Sequence, residues 1–130
     1  MMTKKIFSLL IVLAVALSIA AVTTAQKKDS DKVTLTGNIV DKACATGRMK
    51  KDDAQASIDA HKKSCSLMEN CLKSGLGVYA DGKYTEFDEK GAAMAKAALE
   101  KSAKDNGAKF KVMGKMAGDK LDVASIEEVK

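Results

Sequence analysis

Hydrophobic and polar residues alternate between Val33 and Ile39, so that Val33, Leu35, Gly37 and Ile39 share one face. A period of two residues is that of a half-buried β-strand. A glycine inside a strand often marks a bulge or a sharp bend, which a small barrel requires. The pattern predicts a first strand that bends at Gly37 and ends close to Cys44, followed by a loop over residues 45–51.

The period changes to that of a helix between residues 54 and 72. Apolar, thiol and imidazole side chains recur there at steps of three and four residues, at Ala54, Ile58, His61, Cys65, Met68 and Leu72. This spacing predicts one continuous stripe on a single helix face. Asp52 suits the N-cap of the helix, and Gly75 suits the position just after its end.

Cys71 does not fit this stripe. Two residues six positions apart in a straight helix are separated by about 9 Å of rise, which is too far for a disulfide. Either the helix breaks between Ser64 and Ser66, or Cys65 and Cys71 take different partners.

A hairpin is predicted at Asp81-Gly82, which separates two short alternating runs. This turn places Tyr79 opposite Tyr84. The pair favours cross-strand packing, with a small ligand-facing patch as the alternative. Asp88 then suits the cap of an alanine-rich helix over residues 89–104. Two more strands follow, joined by a turn at residues 117–120.

The predicted order is therefore strand, helical insertion, strand, strand, helix, strand, strand. This order favours an α+β domain, mainly β, built as a small five-stranded OB-like Greek-key barrel over residues 33–130. The helical Cys/His insertion covers residues 44–75. An open α+β sheet is the alternative.

Residues 1–25 have the pattern of a secretory signal peptide, with Lys4 and Lys5 before an apolar run and small residues before Gln26. Residues 26–32 are polar and predict a flexible leader. We therefore expect an exported protein, periplasmic or secreted, with no membrane association after cleavage. An uncleaved membrane anchor is the alternative reading of the apolar run.

The formal net charge is +5 at pH 7, but positive and negative residues are interspersed rather than clustered. The chain has two tyrosines and three phenylalanines, which leaves few side chains for stacking on bases. With export, these features make nucleic acid an unexpected partner.

All three cysteines and the only histidine lie within residues 44–71. Export makes a disulfide the default, so Cys44 is expected to pair with Cys65 or Cys71 and to tie the insertion to the first strand. The alternative is a zinc or copper site made by Cys44, His61, Cys65 and Cys71, to which Met68 would add a soft thioether.

The chain resembles a group of small exported bacterial proteins of uncharacterised function, over most of residues 33–128. The matching positions are residues 37–44, His61, Cys65, Leu67, Met68, Cys71, Ser74, Gly75, Gly77, residues 81–83, Phe87, Asp88, Val112, Gly114, Leu121, Val123, Ser125 and Ile126. The resemblance implies export and a common role for the cysteine and histidine residues, but no activity. Ala45 stands where a glycine would suit a tight turn.

The sequence thus predicts an exported, non-enzymatic domain whose Cys/His insertion is stapled by a disulfide or binds a metal ion. A metal ion or another exported protein is the expected partner. A thiol-based redox protein or a cysteine enzyme is disfavoured, because the chain has neither a Cys-x-x-Cys motif nor a second histidine that could assist catalysis.

Overall fold

The computed structural model describes residues 32–130; the predicted signal peptide and nearly all of the predicted leader lie outside them. The elements of this part of the chain are β1 (Lys32–Asp41), α1 (Lys42–Arg48), α2 (Ala54–Asp59), α3 (Lys63–Ser66), α4 (Glu69–Ser74), β2 (Leu76–Ala80), β3 (Lys83–Phe87), α5 (Glu89–Lys101), β4 (Lys109–Ala117) and β5 (Lys120–Val129).

The five strands form one mixed sheet in the order β1-β2-β3-β5-β4, and β1 also pairs with β4, so that each strand has two neighbours. β3 and β5 are parallel, and the other pairs are antiparallel. The α+β class, the helical insertion after the first strand and the helix between the third and fourth strands are confirmed.

β1 changes its neighbour at the predicted bend. Residues 32–37 pair with β4, whereas residues 38–41 pair with β2. At Gly37 a Cβ atom would lie 1.9 Å from the carbonyl oxygen of Tyr79. The glycine is required because the backbone of β2 passes where any side chain would stand.

The predicted hairpin is also confirmed. Asp81 and Gly82 have φ values of 51° and 77°, and two positive values are typical of a type I′ turn. Tyr79 lies opposite Tyr84 and is only 4% exposed. The Tyr84 hydroxyl donates to the carbonyl of Val40 at 3.1 Å, and burial raises the pKa of Tyr84. Both rings therefore serve packing within the domain rather than a surface patch.

Two hydrophobic clusters hold the domain together. The larger lies between the sheet and α5 and includes Phe110, Leu121 and Leu99. The smaller lies under the insertion, where Val40, Ala45, Ile58 and Tyr79 pack against each other. The second cluster fixes the insertion to the end of β1, which is where the candidate site is found.

The insertion differs from the prediction of one continuous helix. It contains four short helices, and the predicted loop over residues 45–51 is largely α1. Ala45 is fully buried inside that helix, so no tight turn follows Cys44. The predicted helix is interrupted at residues 60–62 and again at residues 67–68, rather than between Ser64 and Ser66. The Ser66 hydroxyl is buried in hydrogen bonds instead of capping a helix.

The start of α2 and the end of α5 also differ slightly from the prediction. Asp53 caps α2 in place of Asp52, through a bond from the Ala56 amide, and α5 ends at Lys101 rather than at residue 104. Gly75, with a φ of 104°, ends α4 as predicted, and Asp88 caps α5 as predicted.

A partly buried polar network joins α2 to the sheet. The ammonium group of Lys109 donates to Asp59 at 2.7 Å and to the side chain of Asn38 at 2.6 Å. The Asn38 amide in turn donates to Asp59 at 2.9 Å. Burial would raise the pKa of Asp59, but the hydrogen bonds and charge of Lys109 and the bond from Asn38 outweigh it and lower that pKa.

This network predicts a pH dependence of stability. Because the folded pKa of Asp59 lies below its unfolded value of about 3.9, its stabilisation is present above that pH and is lost as the pH falls below it. We expect Asp59→Asn to lower the free energy of unfolding by less than about 1 kcal/mol at pH 6, since the pair is partly exposed. The gap between the variant and the wild type should narrow progressively in thermal melts as the pH falls from 6 through about 3.9 and on toward the lower folded pKa. A gap that stays constant over this range would show that the charge is irrelevant.

Candidate metal centre at the end of the first strand

Asp41 is placed by two elements at once. It is the last residue of β1 and the N-cap of α1, and its Oδ2 accepts a hydrogen bond from the Cys44 amide at 2.9 Å. An aspartate at the N-cap commonly bonds the amide three residues on. This bond brings the start of the helix, and Cys44 with it, to the carboxylate.

The other carboxylate oxygen of Asp41, Oδ1, is contacted by side chains that follow α2 in the insertion. Oδ1 accepts from the Ser66 hydroxyl at 2.9 Å and lies 3.1 Å from Nε2 of His61. Because a carboxylate only accepts, the His61 tautomer that fits carries its proton on Nε2. The Asp41 amide donates to the Ser66 oxygen at 3.3 Å. Asp41 and Ser66 are fully buried, and His61 is nearly so.

Asp41 is ionised despite its burial. Burial favours the neutral acid, but hydrogen bonds from His61, the amide and thiol of Cys44, and Ser66 together outweigh it and hold the pKa of Asp41 well below its usual range. A full negative charge is therefore buried at the end of β1, where the insertion begins.

Cys71 reaches the same point from α4. The Ala43 amide donates to the Ser74 hydroxyl at 3.2 Å, and the Lys42 amide donates to the Gly75 carbonyl at 2.9 Å, so the end of α4 is attached to the start of α1. As a result, a carboxylate oxygen of Asp41 and the sulfurs of Cys44 and Cys71 all lie within 4.8 Å of one another. Both cysteines are partly exposed.

The thiols respond to the charge beside them. Burial, then the hydrogen bond and charge of Asp41, raise the pKa of Cys44 to about 12. Burial and the charge of Asp41 also raise the pKa of Cys71. With no cation present both thiols stay protonated at neutral pH, chiefly because they are desolvated, and the charge of Asp41 adds to this effect. That same negative charge would attract a metal ion.

The predicted site residues separate into three groups. Cys44 and Cys71 are brought together, and Asp41, which sequence reasoning missed, is their third neighbour. His61 lies behind the carboxylate and reaches it through Nε2. Cys65 lies in α3 and Met68 is 57% exposed at the N-cap of α4, and neither belongs to the cluster. An Asp-x-x-Cys sequence at a strand end was the available signal for Asp41.

Serine, histidine and aspartate side chains meet here, as they do in hydrolases, but in a different arrangement. The Ser66 hydroxyl is fully buried and donates its proton to Asp41 at 2.9 Å. A substrate therefore cannot reach it, and its proton points to Asp41 rather than to a histidine base. His61 Nδ1 is buried without a hydrogen-bond partner in residues 32–130. His61 is also one of the residues that line a cavity of about 20 Å³. His61 and Ser66 therefore serve to position the Asp41 carboxylate.

Two thiolates and one carboxylate are a ligand set that zinc accepts. Zn–S bonds of about 2.3 Å place two sulfurs of a tetrahedral site just under 4 Å apart, which is within the observed limit. Two thiolates alone suit Cu(I). Among residues 32–130 this is the one group of three or more such side chains close enough to hold an ion.

Comparison with protein-family models, with curated proteins and with solved structures gives no match for this chain. In the described part of the chain, no helix combines the length and the apolar character needed to span a membrane.

Proposed function

We propose that this chain is an exported, non-enzymatic domain that binds one thiophilic metal ion, zinc or Cu(I), through Asp41, Cys44 and Cys71. The observation that carries the proposal is the pair of thiols placed within 4.8 Å of a buried carboxylate oxygen. Export is supported by the signal-like pattern of residues 1–25.

A buried charge separates this proposal from a purely structural staple. A disulfide needs no carboxylate at its side, and burying an anion costs free energy unless it is paired. The hydrogen bonds from Ser66, His61 and the Cys44 amide repay part of that cost. A Zn²⁺ ion between the three ligands would offset two of the three negative charges of the carboxylate and the two thiolates.

The neighbours of Asp41 fit the role of supporting groups. Metal-ligating carboxylates are usually hydrogen-bonded by a second set of residues that fixes their orientation. His61 and Ser66 both reach Oδ1, on the side away from the Cys44 amide bond to Oδ2. We therefore assign His61 to the support of a ligand rather than to the ligand set.

Three protein ligands leave a coordination position open, whereas structural zinc sites are closed by four. Both cysteines are partly exposed, so an ion can reach them from solvent. These features favour a metal-carrying or metal-sensing role over a structural one.

We also propose that the scaffold is an OB-like Greek-key barrel. The strand order β1-β2-β3-β5-β4, the closure of β1 on β4 and the helix between β3 and β4 support it. In this scaffold the end of β1 supplies Asp41, and the insertion after β1 supplies Cys44 and Cys71.

A metal titration of three serine variants tests the proposed ligand set. Cys44→Ser and Cys71→Ser should each weaken the binding of Zn²⁺ by more than about 100-fold, since loss of a ligand exceeds the loss of a supporting group. Cys65→Ser is the matched control and should bind as the wild type does. Competition with a chromophoric chelator under reducing conditions measures all four affinities. Loss of binding in Cys65→Ser, with retention in Cys71→Ser, would refute the assignment.

A further inference from the structure

Cys44 and Cys71 are close enough to react with each other. Their sulfurs lie within 4.8 Å. A disulfide bond is about 2.05 Å long, so the two atoms need to approach by less than about 3 Å. Two hydrogen bonds already hold the start of α1 against the end of α4. The Lys42 amide donates to the Gly75 carbonyl, and the Ala43 amide donates to the Ser74 hydroxyl.

We propose that Cys44 and Cys71 form a disulfide when no ion is bound, so that oxidation and metal binding compete for the same two sulfurs. The redox poise of the compartment then sets how much of the domain can carry metal. This inference rests on the proposed function, because it assigns a control to the same site.

The reaction balances with an ordinary disulfide as oxidant, for which glutathione disulfide serves as the probe. One cysteine loses its proton to solvent and attacks as the thiolate, which releases a glutathione thiolate that takes up a proton and leaves a mixed disulfide on the protein. The second cysteine sulfur attacks that mixed disulfide and releases the second glutathione. Two electrons pass to the oxidant, and the two thiol protons end on the two glutathione molecules. A metal ion held by the two sulfurs blocks the first attack.

Cys65 makes the inference specific. It lies in α3, outside the cluster, although its position in the sequence makes it as good a candidate partner for Cys44 as Cys71. Trypsin leaves Cys65 and Cys71 together in residues 64–73, but a second cut after Glu69 separates them, while Cys44 remains in residues 43–48. Digestion with both proteases therefore identifies which cysteine has reacted.

The experiment compares the reduced chain without metal and the same chain with Zn²⁺ at 100 times its dissociation constant, both exposed to glutathione disulfide. After alkylation, the double digest should show residues 43–48 linked to residues 70–73. Because only about 1% of the loaded protein is empty at any time, its oxidation should be about 100-fold slower. Cys65→Ser should behave as the wild type does. The isolated disulfide form should take up no Zn²⁺ until it is reduced.

The outcomes separate the two claims. A protein that binds Zn²⁺ but links Cys44 to Cys65, or forms no link, overturns the inference and leaves the metal site standing. A protein that links Cys44 to Cys71 at the same rate with and without Zn²⁺, and shows no Zn²⁺ binding when reduced, overturns both the competition and the proposed function.

Discussion

Replacement of Asp41 by asparagine is expected to destabilise the metal-free, reduced domain by about 3 kcal/mol, through the loss of charged hydrogen bonds at a buried position. The carboxylate accepts from Ser66, His61 and the Cys44 amide, and it is fully buried. An asparagine side chain presents an NH₂ group to one of these sides, where donors already point. A loss of this size should lower the melting temperature by about 10–20 °C, measured by circular dichroism.

Asp53→Asn is the matched control for this variant. Asp53 is also a helix N-cap and accepts from the amide three residues on, but it is exposed. Asparagine caps a helix as well as aspartate does, so this variant should change stability by less than about 0.5 kcal/mol. If Asp41→Asn is equally mild, the buried hydrogen bonds of Asp41 do not hold the insertion as described.

Replacement of Gly37 by alanine is expected to have a second large effect. The added Cβ would lie 1.9 Å from the carbonyl oxygen of Tyr79, 2.7 Å from the carbonyl carbon of the same residue and 3.0 Å from the Cα of Ala80. All three are backbone atoms of β2, so the clash can be relieved only by separating β1 from β2. We expect a loss of more than about 3 kcal/mol, or failure to fold, in urea denaturation.

The control for this change is Gly47→Ala. Gly47 lies in α1, and an added Cβ there meets nothing within 4 Å. Alanine is a better helix former than glycine by about 0.5–1 kcal/mol, so this variant should be more stable than the wild type. Similar stabilities for the two variants would mean that β1 and β2 can separate at Gly37 without cost.

The strands could be predicted because their signals are local. The alternation around Leu35, the Asp81-Gly82 turn and the Asp88 cap each depend on a few neighbouring residues, and the structure confirms all three. The α+β order followed from their sequence along the chain. The pairing of β3 with β5 could not be predicted from local patterns. Residues 86–87 pair with residues 120–121, and α5 and β4 lie between them in the sequence.

The insertion resisted prediction for the opposite reason. Its helices have four to seven residues, and helices of that length depend on tertiary contacts rather than on their own period. The chain turns after Ser66 because that side chain bonds Asp41, 25 residues away. Once α3 and α4 are separate, Cys71 rather than Cys65 lies beside Cys44.

The predicted ligand set was only partly correct, because it assumed the continuous helix that the structure does not contain. Helical spacing grouped His61 with Cys65 and Met68, but the three do not converge with Cys44 in the structure. Asp41 is absent from the predicted ligand set, although an aspartate three residues before Cys44 fits an N-cap that would bond the Cys44 amide. The disulfide of Cys44 with Cys65 or Cys71 stays a prediction, and the geometry favours Cys71.

The most direct test of the metal site is the intact native mass of the protein, expressed from the full sequence and purified without reductant, together with a thiol count after denaturation. If Asp41, Cys44 and Cys71 hold an ion, the native mass is raised by one zinc or copper ion and three thiols are free after denaturation. A native mass without metal, two hydrogens lighter and with one free thiol on denaturation, in protein that still takes up no ion after reduction, would contradict it.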